Sequence, residues 1–148
     1  MTDDATISGI HLRSVGTGTL TTNISTAKTL TISGDISTGA GTNGVTKTGA
    51  GTLTLTGANT YNGPTNINAG TLQVGNAGTT GTLGTGNVVN NSQLTFNRSN
   101  ALSVGNTISG TGALTQAGTG TTTLSGANTY SGETNVNAGA LALGVDIS

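Results

Sequence analysis

The chain has 148 residues, a net charge of −1, 6% charged and 2% aromatic residues, one proline and no cysteine. Four basic residues cannot neutralise a row of phosphates, which excludes nucleic acid as a partner. No run of about 18 apolar residues is present to insert directly into a membrane as a helix.

With 26 glycines and few large apolar residues, the composition is that of a disordered chain or of β-structure with a thin core. The single proline, the lack of a charge excess and the alternation of Thr with Leu, Ile and Val favour β-structure. The opening MTDDATISG lacks the basic and apolar regions of a secretory leader, so a secreted parent would make this chain an excised piece.

Strand signals bounded by Gly or Asn follow one another: TLTTNIS from Thr19, TLTISGDIS from Thr29, GTLTLTG from Gly51, TNINAGTLQVG from Thr65 and SQLTFN from Ser92. A strand alternates its faces with period two, so Leu53 and Leu55 point inward while Thr52, Thr54 and Thr56 point outward. The same rule places Leu30 and Ile32, Leu72 and Val74, Leu94 and Phe96, Leu102 and Val104, and Leu141 and Leu143 inside.

GAGTLTLTGANTYNGPTNINAGTLQVG (49–75) returns as GTGTTTLSGANTYSGETNVNAGALALG (118–144), with about 18 of the aligned positions identical. Upstream, TLTISGDIS from Thr29 corresponds to ALSVGNTIS from Ala101. The chain is therefore read as one domain of two repeat units, about 19–83 and 84–144, with short terminal extensions. Strand chemistry reused at near-constant spacing favours a solenoid over a sandwich or barrel. About 20 to 25 residues per coil and about 4.8 Å between coils give six or seven coils, roughly 30 Å tall. Unpaired strand edges at its two ends favour end-to-end self-association, shielded in part by residues up to Thr17 and after Gly144.

These residues resemble the autotransporter-associated β-strand repeat, also called the passenger-associated transport repeat. In the first copy the resemblance lies in Gly51-Thr52-Leu53-Thr54-Leu55, Gly57, Asn59 and Tyr61 of Ala58-Asn59-Thr60-Tyr61, Gly63, Asn68-Ala69-Gly70-Thr71-Leu72 and Gly75. In the second it lies in Leu124, Gly126, Ala127-Asn128-Thr129-Tyr130, Gly132, Asn137-Ala138-Gly139, Leu141 and Gly144. The second copy departs at Thr122, where the first has Leu53, and at Glu133, where the first has Pro64.

The resemblance implies an all-β, right-handed parallel β-helix in the passenger of a Gram-negative autotransporter or large adhesin, outside the cell. It implies a stalk whose stacking coils assist export, whose partners are the neighbouring coils, and whose parent engages a host-surface or matrix ligand. The alternative is a carbohydrate- or ice-binding solenoid. The absence of cysteine suits a passenger that crosses the periplasm unfolded, and equally a cytosolic protein.

Site chemistry is sparse. His11 is the one histidine, which leaves no basis for a nucleophile triad or a transition-metal cluster. Asp35 and Glu133 are the only acidic residues between the termini and lie coils apart, too far to work as a carboxylate pair. The expectation is no enzyme, no cofactor and no metal. Tyr61 and Tyr130 are read as corner residues with bonded hydroxyls, in preference to platforms for sugar stacking, and Asn59, Asn66, Asn68, Asn128, Asn135 and Asn137 as turn or ladder residues. Substituting Leu55 and Leu72 with Asp is expected to cut the amount of passenger at the cell surface, and Thr54→Ser and Tyr61→Phe to leave it nearly unchanged.

Overall fold

The alternating segments fold as short parallel strands. The computed structural model describes residues 4–7, 10–12 and 18–144; the shielding expected of the termini, and the side chain of His11, lie outside the described residues. In chain order the first turn holds β1 (Ala5–Ile7), β2 (Ile10–Leu12) and β3 (Gly18–Asn23), and the second β4 (Thr29–Ile32), β5 (Ile36–Thr38) and β6 (Asn43–Thr48). The third and fourth hold β7 (Thr52–Leu55), β8 (Thr65–Ile67), β9 (Thr71–Val74) and β10 (Val88–Asn90). The fifth holds β11 (Gln93–Phe96), β12 (Leu102–Val104) and β13 (Ile108–Ser109). The last turns hold β14 (Ala113–Gln116), β15 (Thr121–Leu124), β16 (Thr134–Val136) and β17 (Ala140–Leu143).

Every strand pairing among the described residues is parallel and joins successive turns, so the chain is a β-solenoid of about six turns. The first face is a seven-stranded sheet in the order β1-β4-β7-β9-β11-β14-β16, and the third is a five-stranded sheet of β3, β6, β8, β10 and β13. The second face carries β2-β5 at one end and β12-β15-β17 at the other. Between them, 58–61 and 82–85 continue the stack through irregular backbone bonds, such as Thr60 N–H to Ile36 O at 2.9 Å and Thr85 N–H to Tyr61 O at 2.9 Å. A turn takes 19 residues from Leu53 to its partner Leu72 and 25 from Leu20 to Val45, so loop length varies while register holds.

Register sets like on like. Leu30, Leu53, Leu72, Leu94 and Leu114 form one interior column, and Ile32, Leu55, Val74, Phe96 and Gln116 the next. Nearly all are fully buried, each aliphatic member contributing about 1.5 to 3 kcal/mol of burial before chain entropy is subtracted. Outside runs Thr31, Thr54, Gln73, Thr95 and Thr115. Thr54 faces outward as its alternation predicts, yet it is 3% exposed because it stands between Thr31 and Gln73 in adjacent strands.

The two sequence copies do not occupy the same faces. In the first, β7 and β9 pair on the first face, with β6 and β8 on the third. In the second, the equivalent β15 and β17 pair on the second face, with β14 and β16 on the first. The upstream match agrees: β4 and β5 lie on the first and second faces, their counterparts β12 and β13 on the second and third. One unit therefore advances the chain by three full turns and one further face.

Candidate functional site

The regular chemistry of the chain lies in the Ala-Asn-Thr-Tyr corner of each copy. Asn59 is buried, and its amide spans three turns: Oδ1 accepts from Ile36 N–H at 2.8 Å on one side, and Nδ2 donates to Thr82 O at 2.6 Å on the other. Its backbone N–H adds a bond to Thr82 Oγ1 at 2.8 Å. A buried amide satisfied at both ends acts as a clamp, since removing either end strands a polar group away from water. Asn128 repeats the lower half of this arrangement, accepting from Ile108 N–H at 2.9 Å.

Tyr61 lies wholly in the core with its hydroxyl 2.7 Å from Thr65 Oγ1, and Tyr130 with Thr134 repeats the pair at 2.8 Å. Burial pushes the Tyr61 phenol above its ordinary value, which the Thr65 bond and a backbone bond with Gly84 partly counter. Tyr61 is enclosed and offers no ring face to a sugar, while Tyr130 is half-buried, packed in part against the core cluster.

Leu53, Leu55, Leu72 and Leu124 are fully buried, and Leu141 is partly so. Gly70 and Gly139 hold φ of 68° and 61°, and a Cβ on either would overlap carbonyl oxygens of the preceding turn. Gly75 also has positive φ, while Gly57, Gly63, Gly126 and Gly132 admit the backbone of the adjoining turn with no room for a side chain. Gly144 is the exposed last residue described. Asn68 and Asn137 are exposed and join the stack through backbone N–H bonds to Lys47 O at 2.9 Å and Gln116 O at 2.8 Å. Of the turn and ladder readings, an Asn-on-Asn ladder is not what joins these positions: Asn66 stands in register with Thr46 and Val89, and Asn135 with Thr115.

Sequence reasoning missed the interior cation. Lys47 is fully buried, and its ammonium donates to Thr48 O at 2.8 Å, Gly49 O at 2.6 Å and Ala69 O at 3.1 Å. Burial lowers its pKa from the ordinary lysine value. The second copy has Gln116 at this position, donating to Gly118 O at 2.8 Å and Gly120 O at 3.1 Å. The alternation Val45, Thr46, Lys47 placed the lysine on the inward face and was the available signal.

Two open clefts adjoin along the second face. One, of about 480 Å³, is lined by Ser33, Asp35, Thr56, Thr79, Thr82 and Arg98 among others; the second, of about 470 Å³, by Asn59, Thr82, Leu83, Ser103 and Asn106 among others. Their charged groups are engaged in holding loops. Asp35 Oδ1 accepts from Ala58 N–H at 2.6 Å, and the Arg98 guanidinium donates to Thr79 O at 2.6 Å, Gly81 O at 2.8 Å and Asn100 Oδ1 at 2.9 Å. Asp35 lies in the second turn, whereas Glu133 is exposed just before β16 near the far end. Among the described residues no three His, Cys, Asp or Glu side chains are grouped for a metal.

The stacked parallel faces and duplicated corner motif define a repeat-built β-solenoid. This chain carries the Passenger-associated-transport-repeat twice, at residues 45–74 and 114–143. It is also similar to an adhesin autotransporter, BmaC, of Brucella suis biovar 1 (strain 1330), with 52% identity over 79 residues. That stretch is 53% of this chain and 2% of the relative, so the chain spans a small fraction of the length of the protein it matches. No solved structure matches it significantly.

Proposed function

We propose that this chain is a stalk segment of an autotransporter passenger, folding outside a Gram-negative cell and assisting export by stacking coil upon coil. The observation that carries the reading is that motif residues common to both copies, such as Leu55, Asn59, Tyr61 and Gly70, are spent on joining one turn to the next. Each turn that closes buries aliphatic side chains and satisfies the backbone of the turn before it, which opposes backsliding through an export pore. The likeness to an adhesin passenger supports a surface location and a parent that engages a host-surface or matrix ligand through other regions.

The segment acts as a spacer, without catalysis. The clefts hold one carboxylate and one engaged guanidinium, short of the paired carboxylates that glycoside hydrolysis uses. An ice-binding face is poorly supported, since the outward threonine ranks of the first face are interrupted by Gln73, Gln93 and Ala113.

In a full-length passenger carrying this segment, Leu55→Asp and Leu72→Asp should sharply reduce the amount displayed at the cell surface, with Thr54→Ser near the unmodified level. Normal display of both core variants would reject the export role. Loss of adhesion on substitution of cleft residues Ser103 and Thr79, with display intact, would replace it with a ligand-binding one.

A further inference from the structure

The chain holds two Asn-Gly dipeptides, Asn43-Gly44 and Asn62-Gly63, and the fold stacks the second on the first. Asn62 Oδ1 accepts from Asn43 N–H at 3.1 Å, and Gly63 N–H donates to Asn43 O at 2.7 Å. Asn62 Nδ2 completes the seam by donating to Gly41 O at 3.0 Å. Asn62 is exposed, whereas Gly63 is buried against Asn43 with no room for a Cβ. Glycine after asparagine is the pairing in which a backbone nitrogen most readily reaches the side-chain amide, since no Cβ obstructs its approach.

We infer that Asn62 is a self-modification site, a deamidation centre gated by the stacking of the third turn on the second. The Gly63 nitrogen forms a bond to Asn62 Cγ, the Cγ–Nδ2 bond breaks, and Nδ2 leaves as ammonia with the proton of Gly63 N–H. Water then opens the resulting cyclic imide at either carbonyl, giving aspartate or isoaspartate. In the stacked rod every reacting group is engaged: the proton that must leave is held on Asn43 O, and both ends of the amide are fixed on the neighbouring turn. Cγ therefore cannot swing onto the nitrogen. Separation of the two turns frees all of these groups together, in a corner that water reaches. The product cannot rebuild the seam, because a carboxylate has no donor for Gly41 O and an isoaspartate lengthens the backbone. A chain held unstacked is thereby marked against later stacking. The second copy has Ser131 ahead of Gly132 and carries no such centre. The inference goes beyond the stalk reading and stands whether or not stacking assists export.

The test holds purified chain in mildly alkaline buffer, with and without unfolding concentrations of urea, and follows residue 62 by peptide mass and isoaspartate-specific methylation. In urea Asn62 should convert, and in the stacked rod it should convert at least about tenfold more slowly. Asn68, equally exposed but followed by Ala69, is the internal reference and should convert far more slowly than Asn62 in urea. Equal conversion of Asn62 in the two conditions overturns the gate. An Asn62 that converts in urea no faster than Asn68 overturns the site. Asn62→Asp, the product made directly, should lower the thermal midpoint by about 3 °C at neutral pH. An unchanged midpoint overturns the mark against stacking. All readouts are made on purified chain, so failure of the export reading would leave them unchanged.

Discussion

The ammonium of Lys47 lies 3.1 Å from the carbonyl oxygen of Ala69, a residue of the following turn, while also bonding the carbonyls of Thr48 and Gly49 in its own corner. A cation among carbonyl oxygens, inside a rod with few charges, joins two turns where a leucine could only fill space. Lys47→Gln, which installs the residue found at 116, should cost under about 1.5 kcal/mol. Lys47→Met keeps the length and leaves those carbonyls without a donor, so it should cost about 1 to 3 kcal/mol. Urea unfolding of the two variants checks the order.

Alkaline pH should act on the fold through two buried groups of opposite sign. The folded value of Lys47 is depressed, so in the interval between it and 10.5 the unfolded chain holds a proton that the fold has released. Stability therefore rises with pH there. The folded value of Tyr61 is raised, so its contribution is complete below 10.0 and is lost as the unfolded phenol ionises above that point. Thermal midpoints measured between about pH 8 and about pH 11.5 should lose the rising component in Lys47→Gln and the falling one in Tyr61→Phe. Tyr61→Phe should also lower stability below that point. It leaves the buried Thr65 hydroxyl without its partner, at about 1 to 3 kcal/mol.

Glycines divide sharply by position. Gly70→Ala places a Cβ against the carbonyls of Gly49 and Gly51 at a φ of 68° and should cost well over about 1 kcal/mol. Gly78 has open space where a Cβ would go, and Gly78→Ala should change stability by less than about 0.5 kcal/mol. Equal effects in a denaturant titration would contradict the close approach of turns at Gly70.

Core truncation should report position along the rod. Leu55→Ala, within the column between Ile32 and Val74, should cost about 2 to 5 kcal/mol. Leu143→Ala, at the uncovered end, should cost less than about 0.5 kcal/mol. Unfolding midpoints of the two variants decide the matter.

Much of this architecture is legible in the residues because period-two alternation and corner glycines act locally. The inward Leu53, Leu55 and Leu72 and the bonded tyrosine hydroxyls follow from rules that need only neighbours in sequence. The duties of Asn59 and Lys47 do not, because their partners Thr82 and Ala69 lie about a turn away, at an offset set by loop lengths that differ between turns. The cover over Thr54 likewise comes from adjacent strands and is invisible along the chain.

The advance of one face per repeat unit has a mechanical consequence. A motif that always returned to the same side would add its small asymmetry at each unit, and a long rod would bow. With a rotation of one side in three, the irregular corners of three successive units point in three directions and their bending contributions cancel. A filament of many such units would on this spacing be straight and equally stiff against load from any side.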